Sequence, residues 1–243
     1  MIPPDHPRYR SLVTREHLAE SVKNGIVSME GLTAHGRGEA FDYFLGERTT
    51  ASALIAERTA AAFLMTARHP VISVNGNAAA LAARGIADLQ EASGAIVEVN
   101  LFHRTEERVR RIENLLRDAG ADVFSGPAER LLPLSHDRAW CRREGMFSAD
   151  VVLVPLEDGD RCEALVKMGK TVLAIDLNPL SRTARAATVT VVDELTRALP
   201  NITRACRDLT GEERGRLLQS LDNHYLLSEA IREMTGRLSR ALD

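Results

Sequence analysis

Lysine is scarce in this chain. Of 31 basic residues only Lys23, Lys167 and Lys170 are lysine, and arginine supplies the rest. A GC-rich genome that favours arginine codons explains most of this bias. A lysine retained against it draws attention to its compact point charge, which singles out Lys167 and Lys170. Cysteine is also rare. Cys141, Cys162 and Cys206 are far apart and odd in number, which argues against a disulfide framework or a zinc site and fits a reducing compartment. The seven histidines are scattered, with no HExxH and no Cys/His pairs, so a histidine-built metal site is not expected. No apolar run reaches the roughly 18 residues of a membrane helix. The opening MIPPDHPRYR lacks the apolar core of a signal peptide, so a cytoplasmic protein is expected. A net charge of −3 argues against a broad nucleic-acid surface. GxGxxG, the Walker A loop and GxSxG are all missing, and no cysteine stands beside a histidine, so nothing suits a covalent nucleophile.

What is present is a regular rhythm. The 243 residues, 44% apolar and 27% charged, suit one large domain or a domain with a helical appendage. Residues 1–13 are proline-rich and read as extended. Thr14 can cap a short helix, Arg15 to Lys23, ended by Asn24-Gly25. Thr49 or Thr50 can cap a long, mostly apolar helix, ASALIAERTAAAFLMTARH. Short β-branched runs then alternate with helical stretches. The strands are PVISV (70–74), AIVEV (95–99), ADVF (121–124), DVVLVP (150–155), TVLAID (171–176) and TVTVVD (188–193). Two helices are expected between the first pair, and RTEERVRRIENLLRDAG (104–120) is a clear amphipathic helix. Residues 125–149 read as a loop or excursion, and two charged helices follow Thr210. Alternation of this kind predicts βαβ units and a parallel sheet, with helices on both faces of its apolar strands. The expected architecture is an α/β, three-layer Rossmann-like core over residues 70–208. An N-terminal helical segment (1–69) and C-terminal helices (209–243) flank it, in one structural unit.

Ligands of such sheets bind beyond the C-terminal strand ends, and four turns there are unusually polar. In SVNGNAAAL, Gly76 allows a tight turn into a helix whose N–H groups can hold an anion, with Asn75 and Asn77 adding amide donors. A plain βα turn is the alternative. In VNLFHRTEER, Arg104 is misplaced beside a helix N-terminus unless an anion joins it; solvated surface is the other reading. In VPLEDGDRCEALVKMGK, Glu157, Asp158 and Asp160 can hold Mg²⁺ with phosphates, or one of them caps the helix. In AIDLNPLSRTARAATVTVVD, Asp176 and Asn178 suit ribose hydroxyls, and Arg182 with Thr183 suits phosphate oxygens. Together these turns describe a site that binds phosphates and a nucleotide and works by positioning and charge neutralisation.

One stretch lies outside the predicted core: AHGRGEAFDYFLGERTT, Ala34 to Thr50. Gly36 and Gly38 flank Arg37, and the segment is expected to be flexible before turning helical at about Glu39, where Glu39 and Asp42 suit the positive helix end. It is placed as a clasp over the sheet's ligand edge, or over that of a dimer partner, with the glycines admitting close approach to phosphates and Arg37 reaching them.

With HPRY, this stretch, PVISVNGN, EVNLFHRTEERV, SADVVLVPLEDGDRCEALVKMGK and IDLNPLSRTARAATVTVVDELTRALPN, the chain resembles the archaeal phosphopantothenate synthetase (4-phosphopantoate–β-alanine ligase) family from residue 6 to about 201. The resemblance implies a Rossmann-like homodimer that joins 4-phosphopantoate and β-alanine in coenzyme A biosynthesis, splitting ATP to AMP and diphosphate through an acyl-adenylate. It puts ATP contacts on Arg15, Arg37, Asp176, Leu177, Asn178, Arg182, Thr183, Glu194 and Leu195. The chain departs from the family pattern with Glu194 in place of asparagine and His103 in place of tyrosine. On this reading Arg37, His35 and Lys170 are the candidate catalytic groups. Asn75, Gly76, Asn77 and Arg104 are candidates for the phosphopantoate, and Glu157, Asp158 and Asp160 for Mg²⁺. Two other readings keep the fold: a nicotinamide-dependent oxidoreductase, against which the missing GxGxxG counts, and a non-catalytic nucleotide sensor that uses the C-terminal helices for a partner.

Overall fold

The computed structural model describes residues 2–6 and 8–241. Among these residues seven strands occur in chain order: β1 (Pro70–Val74), β2 (Ile96–Val99), β3 (Glu129–Arg130), β4 (Trp140–Cys141), β5 (Val151–Pro155), β6 (Thr171–Ile175) and β7 (Val189–Val191). Five of them form one parallel sheet in the order β2-β1-β5-β6-β7, and β3 and β4 pair as a small antiparallel ribbon. Three helices precede the sheet, α1 (Tyr9–Lys23), α2 (Met29–Leu45) and α3 (Ala51–Thr66). The connecting helices are α4 (Gly76–Ser93), α5 (Glu106–Asp118), α6 (Gly159–Lys167), α7 (Arg182–Ala186) and α8 (Leu195–Asp208), and α9 (Gly211–Gln219) and α10 (Asn223–Ser239) follow.

The sheet is buried on both faces because its strands carry apolar residues at consecutive positions. Ile72, Val74, Val97, Leu153, Leu173 and Val189 point into a core shared with α3, α4, α5 and α8. The alternate positions, Val71, Val152, Val154, Val172 and Ala174, meet Cys162 and Leu165 of α6 and Leu132, Cys141 and Met146 of the 125–149 excursion. This is the expected three-layer α/β arrangement. The chain turns from β1 to β2 on one side and then crosses to β5 on the other, so the topological switch point lies between the ends of β1 and β5.

Several local expectations change. The ADVF run does not become a sixth strand. It makes a single parallel bridge, Val97 with Val123, and the Phe124 N–H donates to Val97 O at 2.8 Å. Gly126, with φ of +146°, and Pro127 then turn the chain off the sheet edge, and proline brings no ladder donor. The Ala34–Thr50 stretch is helical from its first residue to Leu45, as part of α2, with Gly46 as the C-cap. Ser28 caps α2 by accepting from the Gly31 N–H, and Leu45 and Phe41 dock on Leu177, Leu227 and Met234. That packing overrides a glycine penalty of about 1 kcal/mol per residue. Helix α1 begins at Tyr9, earlier than its Thr14 start, inside the segment read as extended. The two helices expected after β1 are one, α4, kinked at Ala82. The excursion is an ordered element rather than a simple loop: the Glu98 carboxylate accepts from the N–H groups of Arg142 at 2.9 Å and Met146 at 2.8 Å, which pins it to β2.

Candidate active site

A cleft of about 830 Å³ opens at the C-terminal ends of the strands, roofed by α2. Its size falls within the range of roughly 300–1,000 Å³ typical of ligand pockets. Side chains or backbone from the ends of β1, β2, β5, β6 and β7 line it, and so do His35, Arg37 and Gly38 of α2. The roof is held from three sides. Asp42 of α2 is bidentate with Arg197 of α8, at 2.5 and 3.0 Å. Glu39 accepts from Arg15 and Ser11 of α1, and α10 packs against Leu45.

The floor lies at the switch point. Asn75 ends β1, and its Oδ1 caps α4 by accepting from the Ala78 N–H at 3.0 Å. Its Nδ2 donates to the Pro155 and Leu156 carbonyls, at 2.9 and 3.0 Å, which ties the ends of β1 and β5 together. Leu156 is held there at φ +55°, a left-handed conformation rare for a side chain of its size. Asn77 Nδ2 donates to Gly31 O at 2.7 Å and joins α4 to the roof. Both asparagines therefore spend their amide donors on the protein. What the turn offers a ligand is the start of α4 at Gly76 and Asn77, whose first N–H groups lack intrahelical partners. A Cβ on Gly76 would collide with the Ile26 carbonyl, so this close approach requires glycine.

Around this floor stands a cluster of charges. Arg138, from the excursion, is 5% exposed and donates to Asp158 at 3.0 Å and to Asn100 O at 3.2 Å, with Glu157 at 3.3 Å. Arg161, fully buried, meets Glu157 from below and donates to Ser73. Burial alone would push the Glu157 carboxyl up, but these two guanidiniums hold it below the usual carboxylate range. Burial, with Glu157 and Asp160 nearby, raises Asp158 despite Arg138. Arg108 of α5 enters beside them, its side chain donating among the described residues to the Ile26 and His103 carbonyls alone, and burial lowers its pKa.

The β6 side is a prebuilt loop. Asp176 accepts from the Asn178 N–H at 2.9 Å and from Ser181 Oγ at 2.5 Å, and burial raises its carboxyl against those bonds and against the Arg37 charge. Arg37 lines the cleft exposed, with no hydrogen bond or ion pair among the described residues. Leu177, Asn178, Arg182, Thr183, Glu194 and Leu195 complete this side. Arg182 pairs with Glu163 at 3.0 Å and the Thr183 hydroxyl donates to Glu157 O at 2.8 Å. Burial raises Glu194, and it depresses His35, which keeps that imidazole neutral.

Four of the candidate residues lie elsewhere. Lys170 stands just before β6, at the opposite end of the strands. Its Nζ donates to the Phe147 and Ala149 carbonyls, at 2.6 and 2.7 Å, and so clips the excursion to the sheet. Arg15 pairs with Glu39 on the outer side of α2 and does not line the cleft. Arg104 borders a separate hollow and pairs with Glu106 at 3.0 Å, so its charge at the helix start is answered by a neighbouring carboxylate. Asp160 turns away to His136 Nε2 at 2.7 Å. The three acids after β5 therefore diverge, and no group of three or more His, Cys, Asp or Glu side chains among the described residues is arranged to hold a metal. Gly36 and Gly38 are ordinary helical residues with room for a Cβ, so the fold itself does not demand them. The sequence reading missed Arg138, Arg108 and the His136 ring stacked on Phe102 at 4.8 Å. For Arg138 and His136 the available signal was the length of the irregular 125–149 stretch, since long ordered loops are commonly functional.

A doubly covered parallel sheet with a charged, ligand-sized cleft at its switch point defines a Rossmann-like α/β protein that handles polar, ionic ligands at its strand ends. The family model described as phosphopantothenate/pantothenate synthetase matches residues 52–237, and the chain belongs to that family. It is 60% identical, over the whole of both chains, to a protein of Methanospirillum hungatei JF-1 named 4-phosphopantoate–beta-alanine ligase. Proteins of the same name from Methanosarcina mazei and Thermococcus kodakarensis are 54% and 48% identical, each over 98% of this chain and 95% and 94% of their own. The chain is an enzyme of this family. No helix among the described residues is long and apolar enough to cross a membrane.

Proposed function

We propose that the chain is an ATP-dependent ligase that condenses 4-phosphopantoate with β-alanine to 4′-phosphopantothenate, releasing AMP and diphosphate. The observation that carries this reading is that arginines stand on both sides of one cleft. Arg37 and Arg182 flank the Asp176–Ser181 loop on one side, and Arg108, Arg138 and the start of α4 stand on the other. A ligase of this kind must hold a triphosphate, a phosphate ester and two carboxylates together. The pantoate carboxylate attacks the α-phosphorus as diphosphate leaves, and the amine of β-alanine then displaces AMP from the mixed anhydride and loses its proton. On this reading the Asp176–Asn178 loop receives the nucleoside and Arg37 its phosphates. The helix start at Gly76–Asn77, with Arg108, receives the phosphopantoate phosphate.

The lining also carries more acids than arginines, with Glu157, Asp158, Asp176 and Glu194 among them. A Mg²⁺ arriving on the phosphates would offset that excess and lower the charge of the leaving diphosphate. The donor set fits an ion that keeps its waters and phosphate oxygens. Asp158, with a side chain 37% exposed and one oxygen not engaged by Arg138, would be the residue to hold it. A homodimer is part of the same proposal, to be read by analytical ultracentrifugation.

The test is AMP formation from purified protein, ATP, Mg²⁺, 4-phosphopantoate and β-alanine. AMP and phosphopantothenate in equal amounts, with neither formed without phosphopantoate, is the expected result. No AMP from a folded preparation, or NADH binding in its place, would defeat the proposal.

A further inference from the structure

Glu57 lies in the middle of α3 and is fully buried, yet neither carboxylate oxygen has a hydrogen-bond partner among the described residues. Its surroundings make this unusual. The carboxyl faces Asp193 at the end of β7, with Asn201 and Arg197 of α8 beside it. Asp193, itself 1% exposed, is engaged on both oxygens. One takes the Glu194 N–H at 2.7 Å and Arg197 Nη2 at 2.6 Å, and the other takes Thr49 Oγ at 2.5 Å. Arg197 also carries Asp42. One guanidinium thus answers two carboxylates, and among the described residues Arg197 is the one cation acting on Glu57. An ionised Glu57 would be a buried charge facing the Asp193 carboxylate, with only the Asn201 amide and the already shared Arg197 to favour it, and proteins avoid this by neutralising the group. As a neutral acid it has one proton to give, and Asp193 is the charged acceptor in front of it.

We propose that Glu57 is a positioning residue for the nucleotide side of the cleft: its buried carboxylic acid donates a hydrogen bond to Asp193 and so sets both the turn into α8 and the seat of the roof helix. The first effect runs through the Asp193–Glu194 N–H bond, because Glu194 and Leu195 line the cleft. The second runs through Arg197 and Asp42 to α2, which carries Arg37 and His35. Desolvation and the Asp193 charge both raise the Glu57 pKa, in agreement with the charge count. The proposal rests on the ATP reading given above for what this side binds.

The test uses the full chain, Glu57→Gln and Glu57→Leu. Glutamine keeps a neutral donor at the same place, whereas leucine fills the space and removes it. At neutral pH the wild-type infrared spectrum, without ligand, should contain a protonated-carboxyl C=O band that is absent from Glu57→Gln. In calorimetric titrations Glu57→Gln should bind ATP within about twofold of wild type. Glu57→Leu should bind it about tenfold more weakly, the loss of one hydrogen bond to a charged group, with 4-phosphopantoate affinity unchanged within about twofold. No such band, an ATP affinity in Glu57→Gln as weak as that of the leucine variant, or an undiminished one in Glu57→Leu would each overturn the proposal. If Glu57→Leu does not fold, the band and the glutamine variant decide. If wild-type protein binds no ATP at all, the nucleotide reading fails and the positioning role with it, while the band still judges the protonation of Glu57 separately.

Discussion

Arg37→Ala removes a guanidinium that the fold does not use. Arg37 is exposed on α2 and makes no hydrogen bond or ion pair among the described residues. Alanine is at least as good a helix former as arginine, so no secondary structure is lost. The expected change in unfolding free energy is within about 0.5 kcal/mol, a melting shift of at most about 2 °C for a chain of this size. Binding should respond very differently. A charge-assisted hydrogen bond is worth about 1.5–3 kcal/mol, so loss of one phosphate contact weakens ATP binding by roughly 10- to 150-fold. Lysine keeps the charge but not the planar fork, and Arg37→Lys should recover only part of the loss. Titration calorimetry with ATP and a thermal melt, run on the same preparations, decide the matter. An ATP affinity within about twofold of wild type, with an unchanged melt, would show that the guanidinium does not reach the phosphates. A melting point lowered by more than about 5 °C would show that the fold uses Arg37 after all.

Arg138→Met strips one of two cations from the buried Glu157. Breaking such a pair costs about 3–5 kcal/mol, a fall in melting temperature on the order of 10 °C. Glu157 is held low in the folded state, so its stabilising contribution is present at neutral pH and is lost as pH falls through the folded value. The gap between wild type and variant should therefore narrow in acid, as followed by urea denaturation across pH. Lys170→Met leaves two buried carbonyls without their donor, at about 2–4 kcal/mol. Because that site lies at the far end of the strands, KM for each substrate should stay within about twofold of wild type in steady-state assays below the melting transition. Glu57 behaves oppositely to Glu157. Its raised folded-state pKa makes its stabilisation complete in acid and lost as pH rises above the ordinary carboxylate range. The stability of wild type relative to Glu57→Gln should decline with rising pH, by up to about 1.4 kcal/mol per unit, as read from denaturant melts.

Most of the scaffold was legible because it obeys local rules. Five of the expected strands formed where β-branched runs stand, and Thr50, Asn75, Thr105 and Ser181 cap the helices that follow them. The turns after β1, β2, β5 and β6 did converge on one cleft, since parallel strands bring their C-terminal ends to one edge of the sheet. The exceptions share a cause. ADVF satisfies strand propensity but lacks a following residue that can extend the ladder. The glycines around Arg37 oppose a helix, yet the apolar contacts of Leu45 and Phe41 with α10 secure one. Propensity is worth about a kilocalorie per residue, and burial of one large side chain exceeds it.

Residue type and spacing by themselves determined the α/β class, the strand ends at which a ligand sits, and the candidacy of Arg37, Asp176, Asn178 and Arg182. Only the tertiary structure decided which charges remain free to meet a ligand. Asn75 and Asn77 spend their amides on neighbouring backbone, Arg104 and Asp160 find partners outside the cleft, and Lys170 serves the opposite end of the sheet. Arg138 arrives from a segment with no periodic signal, and Glu57 gains its meaning from Asp193, far along the chain. The physical reason is the same throughout. Burial obliges each polar group to find a partner, and that partner is chosen in three dimensions among groups that the linear order does not bring together.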